Sequence, residues 1–83
     1  MNATIRQLIA THAGLPMPVD DLADEADLYR AGMKSFASVE LMLGLEDAFA
    51  IEFPDEMLTR ATFRSIAAIE RAIGNLTRGA MAA

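Results

Sequence analysis

Between Leu15 and Lys34 the 83-residue chain shows neither a helical nor a strand period. A connection of that length inside so short a chain leaves room for only a few regular elements around it. Loops this long are usually functional or disordered. Met17, Val19, Leu22, Leu28, Tyr29 and Met33 are spread through this one. They read as anchors that pin the loop against its neighbours.

The flanking segments are helical. Ile5, Leu8, Ile9 and Ala13 recur at helical spacing, with Asn2 or Thr4 as candidate caps. Gly14 and Pro16 stop that first helix, because glycine suits a left-handed cap and proline cannot continue the ladder. A second helix is predicted over about Ser35 to Ala50, with Ser35 as its cap. Ser38, Leu41, Met42, Leu45, Ala48 and Phe49 share one side of it. Phe36, Val39 and Leu43 lie opposite, flanked by Glu40, Glu46 and Asp47. A helix packed on one face is normally polar on the other. Either both faces are buried, or the second stripe is a docking surface with a carboxylate rim.

Pro54 ends the extended Ile51–Phe53 run and can open a short helical turn, with Asp55 and Glu56 at its positive end. Met57 and Leu58 would point inward from it. Thr62 is the candidate cap of a last helix carrying Phe63, Ile66, Ile69 and Ile73, which Gly74 would end. Leu41, Leu45, Phe49, Ile66 and Ile69 are the expected core. Residues 1–76 are read as the domain and residues 77–83 as a frayed tail. The expected fold class is all-α, four helical segments with a long first loop and a short third helix.

Charge is unevenly placed. Eleven of the twelve carboxylates lie between Pro18 and Leu58, opposed there only by Arg30 and Lys34. The net charge of −5 disfavours nucleic acid and suits a basic protein partner. The chain has no cysteine and a single histidine, His12, which excludes disulfides and zinc sites built on thiolates or several histidines. Asp20, Asp21, Asp24, Glu25 and Asp27 lack the alternation and central glycine of a calcium loop. They read as a solvated acidic segment, so no metal is expected. No apolar run is long enough to cross a membrane, and no signal segment is evident. The expectation is a soluble, cytoplasmic monomer.

An enzyme would need a nucleophile beside a base, a carboxylate pair in a cleft, or a metal. None of the three serines, Ser35, Ser38 and Ser65, sits in a nucleophile elbow. Nothing local ties His12 to a serine. Ser35 stands apart by its setting, after Gly32 at the end of the long loop and at a helix start. Free backbone N–H groups and the helix dipole favour an anion there. By itself that setting favours a plain capping serine.

Asp27-Leu28, then Gly32-Met33-Lys34-Ser35-Phe36, Val39-Glu40-Leu41, Leu45-Glu46-Asp47-Ala48-Phe49 and Ile51-Glu52-Phe53-Pro54-Asp55-Glu56 resemble the acyl carrier protein family. The resemblance runs from the first helix to Ile73. It implies a four-helix bundle whose serine at the start of helix 2, here Ser35, carries covalent 4′-phosphopantetheine. It also implies a phosphopantetheinyl transferase as partner, and a carrier without chemistry of its own. This chain departs from the pattern at Lys34, where the family has aspartate, at Phe36, where it has leucine, and at Ala37, where it has a further acid. Those departures tell against service to ordinary fatty-acid enzymes. The Gly32–Val39 and Phe53–Leu58 segments are similar to stand-alone aminoacyl carriers, which seryl-tRNA-synthetase-like amino acid:carrier protein ligases load. A fatty-acyl or polyketide carrier is the alternative reading, and an unmodified helical adaptor is an alternative of another class. Phe36, Val39 and Leu43 are the expected apolar contacts with partners. Glu40, Glu46 and Asp47 are the expected steering charges.

Overall fold

The computed structural model describes the backbone over residues 1–82 and the side chains over residues 1–77. Four α-helices follow in order: α1 (Asn2–His12), α2 (Leu28–Ala31), α3 (Ser35–Phe49) and α4 (Ile66–Ala82). Two 3-10 turns, Val19–Asp21 and Asp55–Met57, complete the elements, and there is no strand among the described residues. The second of these turns is the short third helix of the expected bundle, opened by Pro54 as its cap. The helix predicted second in order is α3, because the long connection itself holds the 3-10 turn and the one-turn helix α2.

α1 packs against both α3 and α4. The core lies between them. Ile5 and Ile9 meet Leu41 and Leu45 of α3 and Ile66, Ile69 and Ile73 of α4 in one fully buried cluster. Phe49 is only partly buried against it. On α3 the buried positions are Ala37, Leu41 and Leu45, while Ala48, expected inside, is exposed. Phe53 and Phe63 belong to the same core and pack edge-to-face, with ring centroids 5.2 Å apart. Leu58 does not point inward as expected and is 46% exposed.

The long loop is anchored through five of its six predicted positions, the exception being Met17, which is half-buried and not packed on the core. Leu28 and Met33 are buried, and Val19, Leu22 and Tyr29 pack against the core. Its acids are not simply solvated, however. Asp24 accepts from Arg6 at 2.8 Å and from Asn2 at 3.1 Å, and its carbonyl takes the Ala67 N–H. Asn2 therefore ties α1 to the loop and to Glu70 rather than capping its own helix. Asp27 caps α2 through the N–H groups of Tyr29 and Arg30, and Arg64 donates to its other oxygen at 3.1 Å. The sequence pattern shows acids but not which of them meets an arginine about forty residues away.

Helix limits also shift. Ser65, not Thr62, caps α4, accepting from the Ala68 N–H at 3.0 Å. Thr62 instead pairs with Thr59 in the preceding turn. α4 continues through Gly74 and past Thr77, and Leu76 still packs against the core. A single glycine costs a helix interior only about 1 kcal/mol, which continued packing offsets. The expected frayed tail over 77–83 otherwise lies outside the residues whose side chains are described.

The two loop carboxylates make acid stability testable. Hydrogen bonds from Asn2 and Arg6, then the Arg6 charge, hold Asp24 below the ordinary value of 3.8 against partial desolvation. At Asp27 desolvation pushes upward, and it is outweighed by the Arg30 N–H, the Arg64 guanidinium and the Tyr29 N–H. Both folded-state values are lowered, so the unfolded chain takes up protons first as pH falls. Stability from these groups is complete above 3.8 and is lost as pH drops through and below it. Urea midpoints should therefore fall on the acid side. Asp24→Asn with Asp27→Asn should flatten that limb and lower the neutral plateau. An acid limb unchanged in the double variant would assign it to other carboxylates.

Candidate functional site

α2 delivers the chain to Ser35. Its cap residue Gly32 has φ +128°, and a Cβ there would also lie 3.2 Å from the Pro16 ring. Gly32 and Met33 N–H groups close back onto the Leu28 carbonyl, which buries Met33. Lys34 then adopts an extended conformation as the cap of α3, without a side-chain cap bond. Ser35 is thus the first helical residue and not the cap that sequence suggests. Its side chain is exposed and makes no cap bond. The N–H groups of the first turn have no partner within the helix, so the position favours an anion.

Ser35 opens onto a groove of about 450 Å³. α3 contributes Ser35, Ser38, Val39 and Met42 to it, and the facing loop contributes Leu58, Thr59 and Arg60. Tyr29 and Phe63 complete the lining. The Ser38 hydroxyl donates to the Ser35 carbonyl at 2.7 Å. The Arg60 guanidinium lies 4.1 Å from the centre of the Tyr29 ring. Sequence reasoning placed nothing on the loop side of this groove. Leu58 carried a signal, a large apolar residue just past a short turn, but was assigned inward. Arg60 carried none.

On the outer side of α3, Phe36, Val39 and Leu43 are 71%, 53% and 56% exposed. The second apolar stripe is therefore a surface and not a second buried face. Glu40 and Asp47 are exposed beside it. Glu40 stands 4.0 Å from His12 Nδ1 of α1. Glu46 is engaged differently: its Oε2 accepts the Phe53 N–H at 2.8 Å and fastens the chain that follows α3. His12 lies beside Gly44 of α3, and no group of three or more metal-ligating side chains occurs among the described residues.

An exposed hydroxyl on the first turn of a helix, beside an apolar groove and an exposed apolar stripe, suits a covalently held arm. The fold and this surface define a carrier domain. The chain belongs to the phosphopantetheine attachment site family, which matches it over residues 3–73. It is a carrier of a covalent 4′-phosphopantetheine arm and not a catalyst. It is 59% identical, over the whole of both chains, to the aminoacyl carrier protein of Agrobacterium fabrum. It is also similar to the Agrobacterium tumefaciens carrier protein crystallised with an engineered Bradyrhizobium japonicum glycine:[carrier protein] ligase and AMP. That match has a TM-score of 0.87 and 62% identity over 89% of this chain and 99% of the other. A solution structure of the A. tumefaciens protein ATC2521 matches with a TM-score of 0.76 and 59% identity over the full length of both.

Proposed function

We propose that Ser35 bears the arm and that an amino acid:carrier protein ligase loads it with an aminoacyl group. The exposed first-turn position of Ser35 on the groove carries this reading. The group fits there: the free N–H groups suit its phosphodiester and the groove suits its body. When bound, it supplies a terminal thiol that holds cargo as a thioester. The chain's own residues position the attachment point and present the docking face, which turns later encounters into events at high effective concentration. Kinship to a carrier crystallised with a glycine ligase supports the aminoacyl cargo over a fatty-acyl one, as do Lys34 and Phe36. The arm would be installed by a phosphopantetheinyl transferase, and the carrier would act as a cytoplasmic monomer. Its charge of −5 disfavours nucleic acid, and no described helix is long and apolar enough to cross a membrane. Intact-mass measurement of protein isolated from its native cell tests the reading. An arm plus an aminoacyl mass is expected; an acyl mass would move the assignment to a fatty-acyl or polyketide carrier.

The docking face makes a separable prediction. Rim charges mainly govern encounter rate and salt dependence, and buried apolar anchors mainly govern dissociation. Glu40→Gln with Asp47→Asn should slow association with the loading ligase, most at low salt. Val39→Ala or Leu43→Ala should speed dissociation with little change in salt slope. Stopped-flow binding at several salt concentrations reads both. Loading kinetics untouched by all four changes would place the face elsewhere on the domain.

A further inference from the structure

The groove beside Ser35 has one charged residue in its lining, Arg60, and no carboxylate. Its other polar groups are largely committed. Ser38 Oγ donates to the Ser35 carbonyl, and Thr59 Oγ1 pairs with Thr62. Tyr29 offers the kind of aromatic face that attracts a cation, but Arg60 already lies over its ring. Phe63 is buried and turned edge-to-face with Phe53. An ammonium group entering this space would give up part of its water, find no counter-charge in the lining and meet the Arg60 guanidinium. A neutral acyl group of the same size would meet Val39, Met42 and Leu58 at no such cost.

On the reading that Ser35 bears the arm, we infer that Arg60 keeps a positively charged aminoacyl cargo out of this groove, so that the loaded arm presents its cargo to partners. The groove discriminates by charge: it admits a neutral acyl terminus and refuses an α-ammonium one. A carrier built this way does not shelter its own cargo. Arg60 sets this preference together with the apolar walls, which offer an ammonium group no counter-charge.

Propionyl and glycyl groups test the inference because they share a shape and differ by one charge. Each is attached through a coenzyme A analogue in which nitrogen replaces the thioester sulfur, and a phosphopantetheinyl transferase installs it on the full chain. Mass mapping then locates the arm. The readout is the NMR shift of the Val39, Met42 and Leu58 methyl groups, relative to the protein carrying the arm alone. Propionyl should move these methyls and glycyl should leave them several-fold less displaced. In Arg60→Glu, glycyl should move them as propionyl does. Arg60 is exposed, so this variant should keep its amide spectrum away from the groove. Equal displacement by both groups in the unaltered chain overturns the inference. So does a glycyl group still excluded in Arg60→Glu, or a propionyl group that moves no methyl. An arm mapped to a residue other than Ser35 overturns the underlying reading and this inference together, which distinguishes the two failures.

Discussion

Ser35→Ala should accept no phosphopantetheine at all, while its folding is unchanged within about 0.5 kcal/mol. The two halves of this expectation rest on the same observation. The Ser35 hydroxyl is exposed and makes no cap bond, so the fold does not depend on it. Alanine is also the better residue inside a helix. The backbone carbonyl that accepts from Ser38 remains in the variant. Incubation with coenzyme A and a phosphopantetheinyl transferase, followed by intact-mass measurement, gives the modification. A urea titration gives the stability. Ser38→Ala is the control, since Ser38 lies one turn further along α3, and it should keep the full mass increase. An arm still added to Ser35→Ala would mean that another residue carries it.

Leu45→Ala should cost about 2–5 kcal/mol, against roughly nothing for Leu43→Ala two positions earlier. Leu45 has no exposed surface and sits in the cluster shared by α1, α3 and α4. Removing its isobutyl group loses transfer free energy and leaves a cavity that close-packed neighbours cannot fully refill. At about 0.05–0.15 kcal/mol of stability per residue, that loss is a large share of the stability of so small a domain. Leu43 is 56% exposed on the outer apolar stripe of α3, so its truncation removes little buried surface. Phe49, partly buried at the end of α3, should fall between the two. Chemical denaturation of the three variants ranks them. Equal losses at positions 43 and 45 would mean that the helix is rotated from the phase described.

Helical spacing carried much of this architecture. A period near 3.6 over Ile5–Ile9 and Leu41–Leu45 decides which face turns inward, because burial of that face is what stabilises a short helix. The same arithmetic put Phe36, Val39 and Leu43 on the opposite side of α3. It could not say whether that side was covered, since coverage depends on a neighbour's position. α2 was missed because one helical turn is too short to show a period. It exists through the Asp27 cap and the burial of Leu28, which are local and tertiary effects together.

Sequence by itself determined the all-α class, the register of α3 and the position of Ser35 at a helix start, because each follows from local spacing and from where glycine and proline fall. Tertiary structure alone decided that Asp24 and Asp27 are anchors, that Glu46 fastens Phe53, and that Leu58 and Arg60 face α3 across the groove. The reason is distance along the chain. Asp27 meets Arg64 and Ser35 shares its groove with Arg60 only after the helices have packed, and no periodicity within a single segment encodes a contact between segments that far apart.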